Sequence, residues 1–177
     1  MQKKIYEYEI VKQFLQSVGG EYAPKLVEIC LQKNKPIGDE EIGKKLENLK
    51  ITEIRAILNR LHYRGIACYQ KTKNNKTGWY TYTWEISPKR IAELIIEKRT
   101  EEINKLEKEA YYLGTHDFYS AGKDLAEYPF EIAAEYNFIC PQTGKPLKLI
   151  DKKKKLKEIQ KKLQELKTEV EELTKLK

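Results

Sequence analysis

Residues 51–86 read ITEIRAILNR LHYRGIACYQ KTKNNKTGWY TYTWEI, and this stretch decides the fold. Its apolar positions first recur at spacings of three and four, at Ile54, Ile57, Leu58 and Leu61. That periodicity predicts a helix that opens at a Thr52 cap and ends at Gly65. Alternating aromatic and β-branched residues then predict two strands, 66–71 and 79–86, joined by turn residues at 72–78. The stretch therefore predicts a helix followed by a basic-tipped β-hairpin.

Two further helices are predicted upstream of this stretch. Residues 23–31 crowd five apolar side chains behind Pro24, which suits a first helical turn, and this indicates a buried helix. Residues 37–46 place acids at the start and lysines at the end, as a short helix prefers. The order helix, short helix, helix and hairpin predicts a winged helix-turn-helix domain over residues 1–87.

Three segments of different composition follow the hairpin. Residues 88–114 are expected to form a long spacer helix. Pro88 stops the preceding strand, and Gly114 closes the helix. Residues 115–150 form short, aromatic-rich segments that Gly and Pro interrupt, so a small separate module is expected there. Residues 151–177 carry a lysine-rich heptad seam, Leu156, Ile159, Leu163, Leu166, Val170 and Leu173, typical of a coiled-coil helix. The chain is therefore predicted to be mainly α with small β elements.

Composition excludes several classes of protein. The 177 residues are 34% charged with a net charge of +7, and no apolar stretch approaches the roughly 20 residues of a membrane span. A charged start and three scattered cysteines predict a soluble, cytoplasmic chain with reduced thiols. The two histidines, His62 and His116, stand in no catalytic or phosphate-loop signature, so no enzyme and no small-molecule substrate are expected.

Candidate contacts with nucleic acid lie on the third helix and on the hairpin. Arg55, Asn59, Arg60 and Arg64 mark the helix, and Lys71, Lys73 and Lys76 mark the hairpin. A winged helix places its third helix in the major groove and its wing on phosphates. One alternative is that these are ordinary solvated charges. The other is a protein-docking role, since winged helices also serve as docking modules. Aromatic residues on both faces of 79–86 suggest either a contact surface or packing against the spacer helix.

This order of parts resembles the archaeal general transcription factor E, alpha subunit, which is related to the large subunit of eukaryotic factor IIE. The stretches that carry the resemblance are residues 39–42, 73–84 and 130–141, within a match over roughly residues 20–150. The resemblance implies a factor that docks on the clamp of RNA polymerase, joins TBP and TFB, and assists promoter opening. It places the wing toward the edge of the melted DNA, with Lys71, Lys73, Asn74, Asn75, Lys76 and Trp79 as the expected contacts. Arg55, Arg60 and Arg64 are expected to dock on polymerase.

The small module departs from the family at its metal site. The family's zinc ribbon has two Cys-x-x-Cys knuckles, whereas the corresponding positions here are Ser120, Lys123, Cys140 and Thr143. A structural zinc needs four soft or borderline ligands, so the site is predicted lost and no cofactor is expected. The aromatic residues Phe118, Tyr119, Tyr128, Phe130, Tyr136 and Phe138 are expected to hold this degenerate zinc-ribbon-like module instead.

Two questions stay open at the level of sequence. The heptad helix needs a partner, and it either folds back along the spacer helix or self-associates. Self-association would suit the alternative function, a homodimeric winged-helix repressor that reads an operator. A metal-dependent regulator is disfavoured by the missing thiolates.

Overall fold

The computed structural model describes residues 4–33, 35–73, 75, 78–122 and 125–175. It is mainly helical with small antiparallel sheets, which confirms the predicted class at that level. The chain divides into two compact units. The first runs through Glu97 and includes the residues from Leu173 onward, and the second spans Lys98–Glu172.

Helices dominate the first unit. After a single 3-10 turn, Ile5–Glu7, come α1 (Glu9–Gly19), α2 (Ala23–Lys33), α3 (Asp39–Gly43) and α4 (Ile51–Tyr63). The first ten residues of α5 (Pro88–Thr115) complete its helical part. The fully buried core residues come from all of these helices and include Val11, Leu15, Leu26, Val27, Ile42, Ile54, Leu58, Leu61 and Ile91. Leu173, near the end of the chain, is buried in the same core.

A three-stranded antiparallel sheet covers one side of this core. Its strands are β1 (Ile37–Gly38), β2 (Ala67–Lys73) and β3 (Tyr80–Ile86), in the order β1-β3-β2. The β2–β3 hairpin is paired along seven residues, from Ala67 opposite Ile86 to Lys73 opposite Tyr80. Only its base is buried, because Trp84 and Ile86 enter the core whereas most of β2 is exposed.

The structure differs from the local expectations in four places. Helix α1 was not predicted at all. Residues 37 and 38 form a short strand that was not predicted, because they pair with Trp84 and Thr83 of β3. The short helix after them is capped at Gly38, within the expected cap positions 38 and 39, but it ends at Gly43. Helix α4 begins one residue before Thr52, and its first turn is closed by the Glu53 carboxylate, which accepts a hydrogen bond from the Lys50 N–H at 2.8 Å.

The fourth concerns the end of the spacer helix. Helix α5 continues through Gly114 to Thr115, whose hydroxyl donates to the Tyr111 carbonyl at 3.0 Å. Gly114 has open space around its Cα, so nothing in the surrounding packing requires a glycine there.

In the second unit, two long helices pack against each other and a small module is attached to them. Helix α7 (Lys152–Thr174) folds back along α5, and its seam joins a cluster of Leu106, Ala110, Leu113, Phe118, Ile150, Leu156, Ile159 and Leu163. Ion pairs join Arg99 to Glu169 and Lys155 to Glu109, so the two helices run antiparallel. Of the two options open at the level of sequence, this structure has the fold-back.

The small module, residues 118–149, is built on a second three-stranded sheet. Strands β4 (Phe118–Ser120), β5 (Glu127–Pro129) and β6 (Lys148–Leu149) lie in the order β5-β4-β6, and α6 (Phe130–Glu135) follows β5. Its core is Ala133, Cys140 and Leu147, packed by Tyr119, Ala121, Tyr128 and Phe138. Two of the six expected aromatic anchors are therefore not core residues, since Phe130 and Tyr136 are each 48% exposed.

Candidate nucleic-acid and partner interface

One face of the hairpin combines lysines with tyrosine rings. Pairing between β2 and β3 sets Lys71 opposite Tyr82 and Lys73 opposite Tyr80. The Lys71 ammonium lies 3.9 Å from the centroid of the Tyr80 ring, and that of Lys73 lies 6.0 Å from it. Such exposed cation–π contacts are worth about 0.5–1 kcal/mol each. They hold the two charges over the rings while leaving them accessible to an anionic partner.

Exposed aromatic rings extend this surface. Trp79, immediately before β3, is 77% exposed, and Tyr80 and Tyr69 are about half exposed. Large apolar rings left in water mark contact sites, since indole and phenol rings stack on nucleic-acid bases or fill pockets on protein partners. The 77% exposure of Trp79 leaves its ring accessible to a partner, and its contact role stays a prediction.

An aromatic cluster around the buried Trp84 fixes the base of the hairpin. The ring of Tyr69 lies 5.3 Å from that of Trp84 and 5.1 Å from that of His62. His62 Nδ1 lies 2.8 Å from the Ala67 carbonyl oxygen at the start of β2. His62 therefore ties α4 to the hairpin, which is a structural role and not a catalytic one.

Not every residue expected on the hairpin can be located. Lys71, Lys73, Asn75 and Trp79 are all exposed, and they lie along β2, at the tip and at the start of β3. Asn74 and Lys76, which were also expected to contact DNA, lie outside the described residues.

The three arginines of α4 have two different environments. Arg55 Nε donates to the carboxylate of Asp39 at 2.5 Å, and Asp39 is the buried first residue of α3. Asp39 also accepts a hydrogen bond from the Glu40 N–H. Arg55 thus neutralises a buried carboxylate within the chain, and this distinguishes its role from that of Arg60 and Arg64.

Arg60 and Arg64 lie together on the next part of the helix. With Asn59 and Tyr63 they line a groove of about 390 Å³, whose other wall is Ser17 and Val18 of α1. Tyr63 is 92% exposed. Two guanidinium groups beside an exposed phenol ring suit an acidic protein segment, because Arg and Tyr are frequent anchors at interfaces. The α1 wall was missed at the level of sequence because α1 itself was not predicted.

The ligand positions in the small module do not fit a zinc ion. Ser120 directs its hydroxyl to the Gly122 carbonyl at 2.9 Å, and Cys140 is part of the buried core. Thr143 offers only a hydroxyl, and Lys123 lies outside the described residues. Within the part of the chain that the structure describes, no three His, Cys, Asp or Glu side chains are grouped so that they could hold a metal.

Cys140 is nevertheless an unusual thiol. A hydrogen bond from the Thr143 side chain, helped by the backbone N–H groups of Gln142 and Thr143, lowers the pKa of Cys140 to about 7 against the opposing effect of burial. The Tyr128 hydroxyl lies 3.9 Å from its sulfur. The turn after Cys140 therefore stabilises the thiolate with hydrogen bonds.

Comparison with known proteins agrees with this arrangement. The sequence matches the model of the TFIIE alpha subunit over residues 9–111, more than half of the chain. A protein named Transcription factor E from Metallosphaera sedula is 32% identical over 146 residues, which cover 82% of each chain. The Transcription factor E of Sulfurisphaera tokodaii is 32% identical over 148 residues with the same coverage, and that of Saccharolobus islandicus strain Y.N.15.51 is 30% identical over 138 residues.

The matched range includes every element of the site, from α1 through the hairpin to most of α5. Among the helices in the described ranges, none is long and apolar enough to cross a membrane. The relatives are named as transcription factors. The chain belongs to the TFIIE alpha subunit family, and its role is that of a general transcription factor.

Proposed function

We propose that this protein is a transcription initiation factor that binds the clamp of RNA polymerase, works with TBP and TFB in the promoter complex, and assists promoter opening. In this proposal the first unit acts as a winged helix with the β2–β3 hairpin as its wing, and it performs no chemistry. The observation that carries the proposal is the exposed hairpin, which presents the ring-held charges of Lys71 and Lys73 and also a Trp79 side chain that is 77% exposed.

This surface suits the edge of a melted duplex better than an intact one. Stacking of an exposed base on an aromatic side chain is worth about 1–3 kcal/mol and requires no particular base. The two lysines add phosphate contacts, each of which contributes a log-log salt slope of about −0.9 on duplex DNA. The hairpin alone therefore gives weak, salt-sensitive binding that gains strength where bases are unstacked.

Docking on polymerase is assigned to Arg60 and Arg64. The groove that they share with Tyr63 and Val18 offers both charge and apolar surface to an acidic segment of the clamp. Arg55, which was grouped with them from sequence, is removed from this proposal because its guanidinium serves Asp39. Replacing Arg55 is expected to lower stability first and binding only as a consequence.

The small module is proposed to be metal-free. Its core of Ala133, Cys140 and Leu147 is small, and small modules without a metal need support from neighbouring packing. The α5–α7 helix pair supplies such support within the second unit, because Phe118 of β4 is buried among residues of both helices.

The alternative function, a homodimeric repressor, is less well supported. It requires α7 to present its heptad seam to a second chain. Ile159 and Leu166 of that seam are buried within the single chain, at 7% and 5% exposure. A seam already covered by α5 cannot also pair with another copy without unfolding the helix pair.

The proposal is tested with purified archaeal RNA polymerase and a promoter. A variant with Lys71→Ala, Lys73→Ala and Trp79→Ala should still be captured by polymerase but should lose promoter opening, measured as permanganate reactivity of melted thymines. A variant with Arg60→Ala and Arg64→Ala should lose capture.

A matched control comes from α5, whose Lys98, Lys108 and Tyr111 are also exposed. Replacing these two lysines and one aromatic residue by alanine removes the same side-chain types and should leave both readouts unchanged. Failure of the unaltered, folded protein to capture polymerase would refute the proposal. Capture together with normal opening by the hairpin variant would refute the role of the hairpin.

A further inference from the structure

The positive charge of the chain is concentrated at the start of α7. Residues 152–163 contain seven lysines and one acid, Glu158, so these twelve residues carry +6 of the chain's net +7. The other 165 residues are nearly balanced. The basic character of this protein therefore comes almost entirely from one short helical segment.

Folding uses only part of this charge. Lys152 pairs with Asp117, and Lys155 reaches both Glu127 and Glu109. Lys153, Lys154, Lys157 and Lys162 are exposed, and within the described ranges no carboxylate lies within ion-pair distance of them. Lys161 has one loose contact, with Glu165 at 3.9 Å on the same helix.

Four of the exposed lysines share one face of the helix, whereas Lys162 lies nearer its buried side. Successive residues turn by 100°, so Lys153, Lys154, Lys157 and Lys161 lie opposite the buried Ile159. We call these four lysines the basic face. It spans about 12 Å along the helix at a rise of 1.5 Å per residue, with no aromatic or apolar side chain in it. Glu158 lies at its margin.

This arrangement opposes the stability of the helix. Lysines in the first turn lie next to the positive end of the helix dipole, where acids are favoured. Lys153, Lys157 and Lys161 are also spaced at four residues, so like charges face each other along the helix. A local pattern that works against folding, with no compensating contact, is typical of a binding surface.

We infer that the basic face binds the phosphate backbone of duplex DNA, as a second nucleic-acid contact separate from the hairpin. Lysine is depleted from protein–protein interfaces, which rely on aromatic and arginine anchors that this face lacks. Phosphate binding needs only closely spaced cations and releases counterions without any apolar contact. The contact carries no sequence information, because it involves no base edge.

Fluorescence anisotropy of the full chain with a labelled duplex, over a series of salt concentrations, tests this inference. The variant Lys153→Gln, Lys157→Gln, Lys161→Gln keeps helix propensity and removes three phosphate contacts. The magnitude of its log-log salt slope should fall by about 2.7, at about 0.9 per contact. Circular dichroism should show an unchanged or slightly higher melting temperature, since repulsion within the helix is relieved.

The control variant carries Lys98→Gln, Lys105→Gln and Lys108→Gln on α5, where five acids at 97–109 balance the charge. It lowers the net charge by the same three units and should keep the slope of the unaltered protein. Equal slopes for the α7 and α5 variants would overturn the inference, as would the absence of DNA binding by the unaltered protein at low salt. Competition by polyglutamate as strong as that by DNA would also overturn it, in favour of an acidic protein partner.

The hairpin variant, measured in the same series, separates this inference from the proposed function. Loss of DNA binding in the hairpin variant alone would overturn the second contact and leave the hairpin role intact. Loss in the α7 variant alone would support the second contact, whatever the polymerase and promoter-opening assays show.

Discussion

The antiparallel packing of α7 on α5 makes a quantitative prediction for Ile159. This side chain is 7% exposed and lies in the cluster with Leu113 and Phe118. Ile159→Ala removes three buried carbons, worth roughly 2.4 kcal/mol at 0.8 kcal/mol each, and leaves a cavity besides. The free energy of unfolding should therefore fall by about 3 kcal/mol, within the range known for such core truncations.

Urea denaturation followed by far-UV circular dichroism measures this loss. Tryptophan fluorescence would not report it directly, because Trp79 and Trp84 both lie in the first unit. With an m-value of about 1–3 kcal/mol per molar, the midpoint should move down by about 1–3 M. The milder Ile159→Val should cost about 0.5–1.5 kcal/mol, which gives a graded series if the alanine variant unfolds.

The control for this series is Gln160→Ala, one residue further along the helix and exposed. It should change stability by no more than about 0.5 kcal/mol. Equal effects of Ile159→Ala and Gln160→Ala would refute the reasoning, since they would mean that the seam is not buried by α5. Strong dependence of the midpoint on protein concentration would point to pairing with a second chain.

Three further predictions concern the thiols and one close helix contact. Hydrogen bonds lower the pKa of Cys140 to about 7, below its value in the unfolded chain, so folding favours the thiolate. The free energy of unfolding measured in urea should therefore rise from pH 7 toward pH 9 and decline as the pH falls through 7. Cys140→Ser should flatten this profile. Iodoacetamide should modify the exposed Cys68 in the native protein. Cys30 should react only on unfolding, because burial raises its pKa to about 12. Mass spectrometry of the labelled peptides measures both reactions. Gly19→Ala should lower the free energy of unfolding by about 1–3 kcal/mol, because the added Cβ would lie 2.4 Å from the Cβ of Ala23. Thermal melts measure this loss. An unchanged melting temperature would contradict the close approach of α1 and α2.

The hairpin could be predicted from sequence because its signals are local. Alternation along residues 79–86 and the turn residues before them specify two paired strands without reference to the rest of the chain. Alternation alone left open whether the outer aromatic set is exposed or packs against the spacer helix, because that depends on elements outside the strand. Gly65 ended α4 as expected, with a positive φ of 71° that glycine adopts without strain.

Elements that depend on distant partners could not be predicted in this way. Residues 37 and 38 are a strand only because β3 lies beside them, and a two-residue strand has no periodicity of its own. The groove beside Arg60 and Arg64 depends on the packing of α1 against α4, and residues 20–50 separate these two helices in the sequence. Helix α1 itself was within reach, because its apolar residues repeat at three and four, Ile10, Val11, Phe14, Leu15 and Val18.

The pairing of Arg55 with Asp39 shows why charge counts on a helix do not identify an interface. From sequence, the three arginines of α4 were equivalent, and acids at the start of α3 looked like ordinary helix-dipole partners. Burial of Asp39 changes this, because a buried carboxylate needs a cation and Arg55 is the one that reaches it. Only the charges left over after such pairing are available to a partner.

The same distinction applies to the whole chain and separates the two proposed modes of DNA contact. On the hairpin there are only two such lysines, Lys71 and Lys73, and the same hairpin exposes Trp79, so base stacking is expected to supply much of the binding. On α7 the lysines are crowded and lack aromatic neighbours, so phosphate neutralisation must supply nearly all of it. The two contributions respond differently to conditions: high salt should weaken the α7 contact far more than the hairpin contact. A promoter with an unpaired segment should therefore retain binding at salt concentrations that release a fully paired duplex, and this residual binding should disappear with Trp79→Ala.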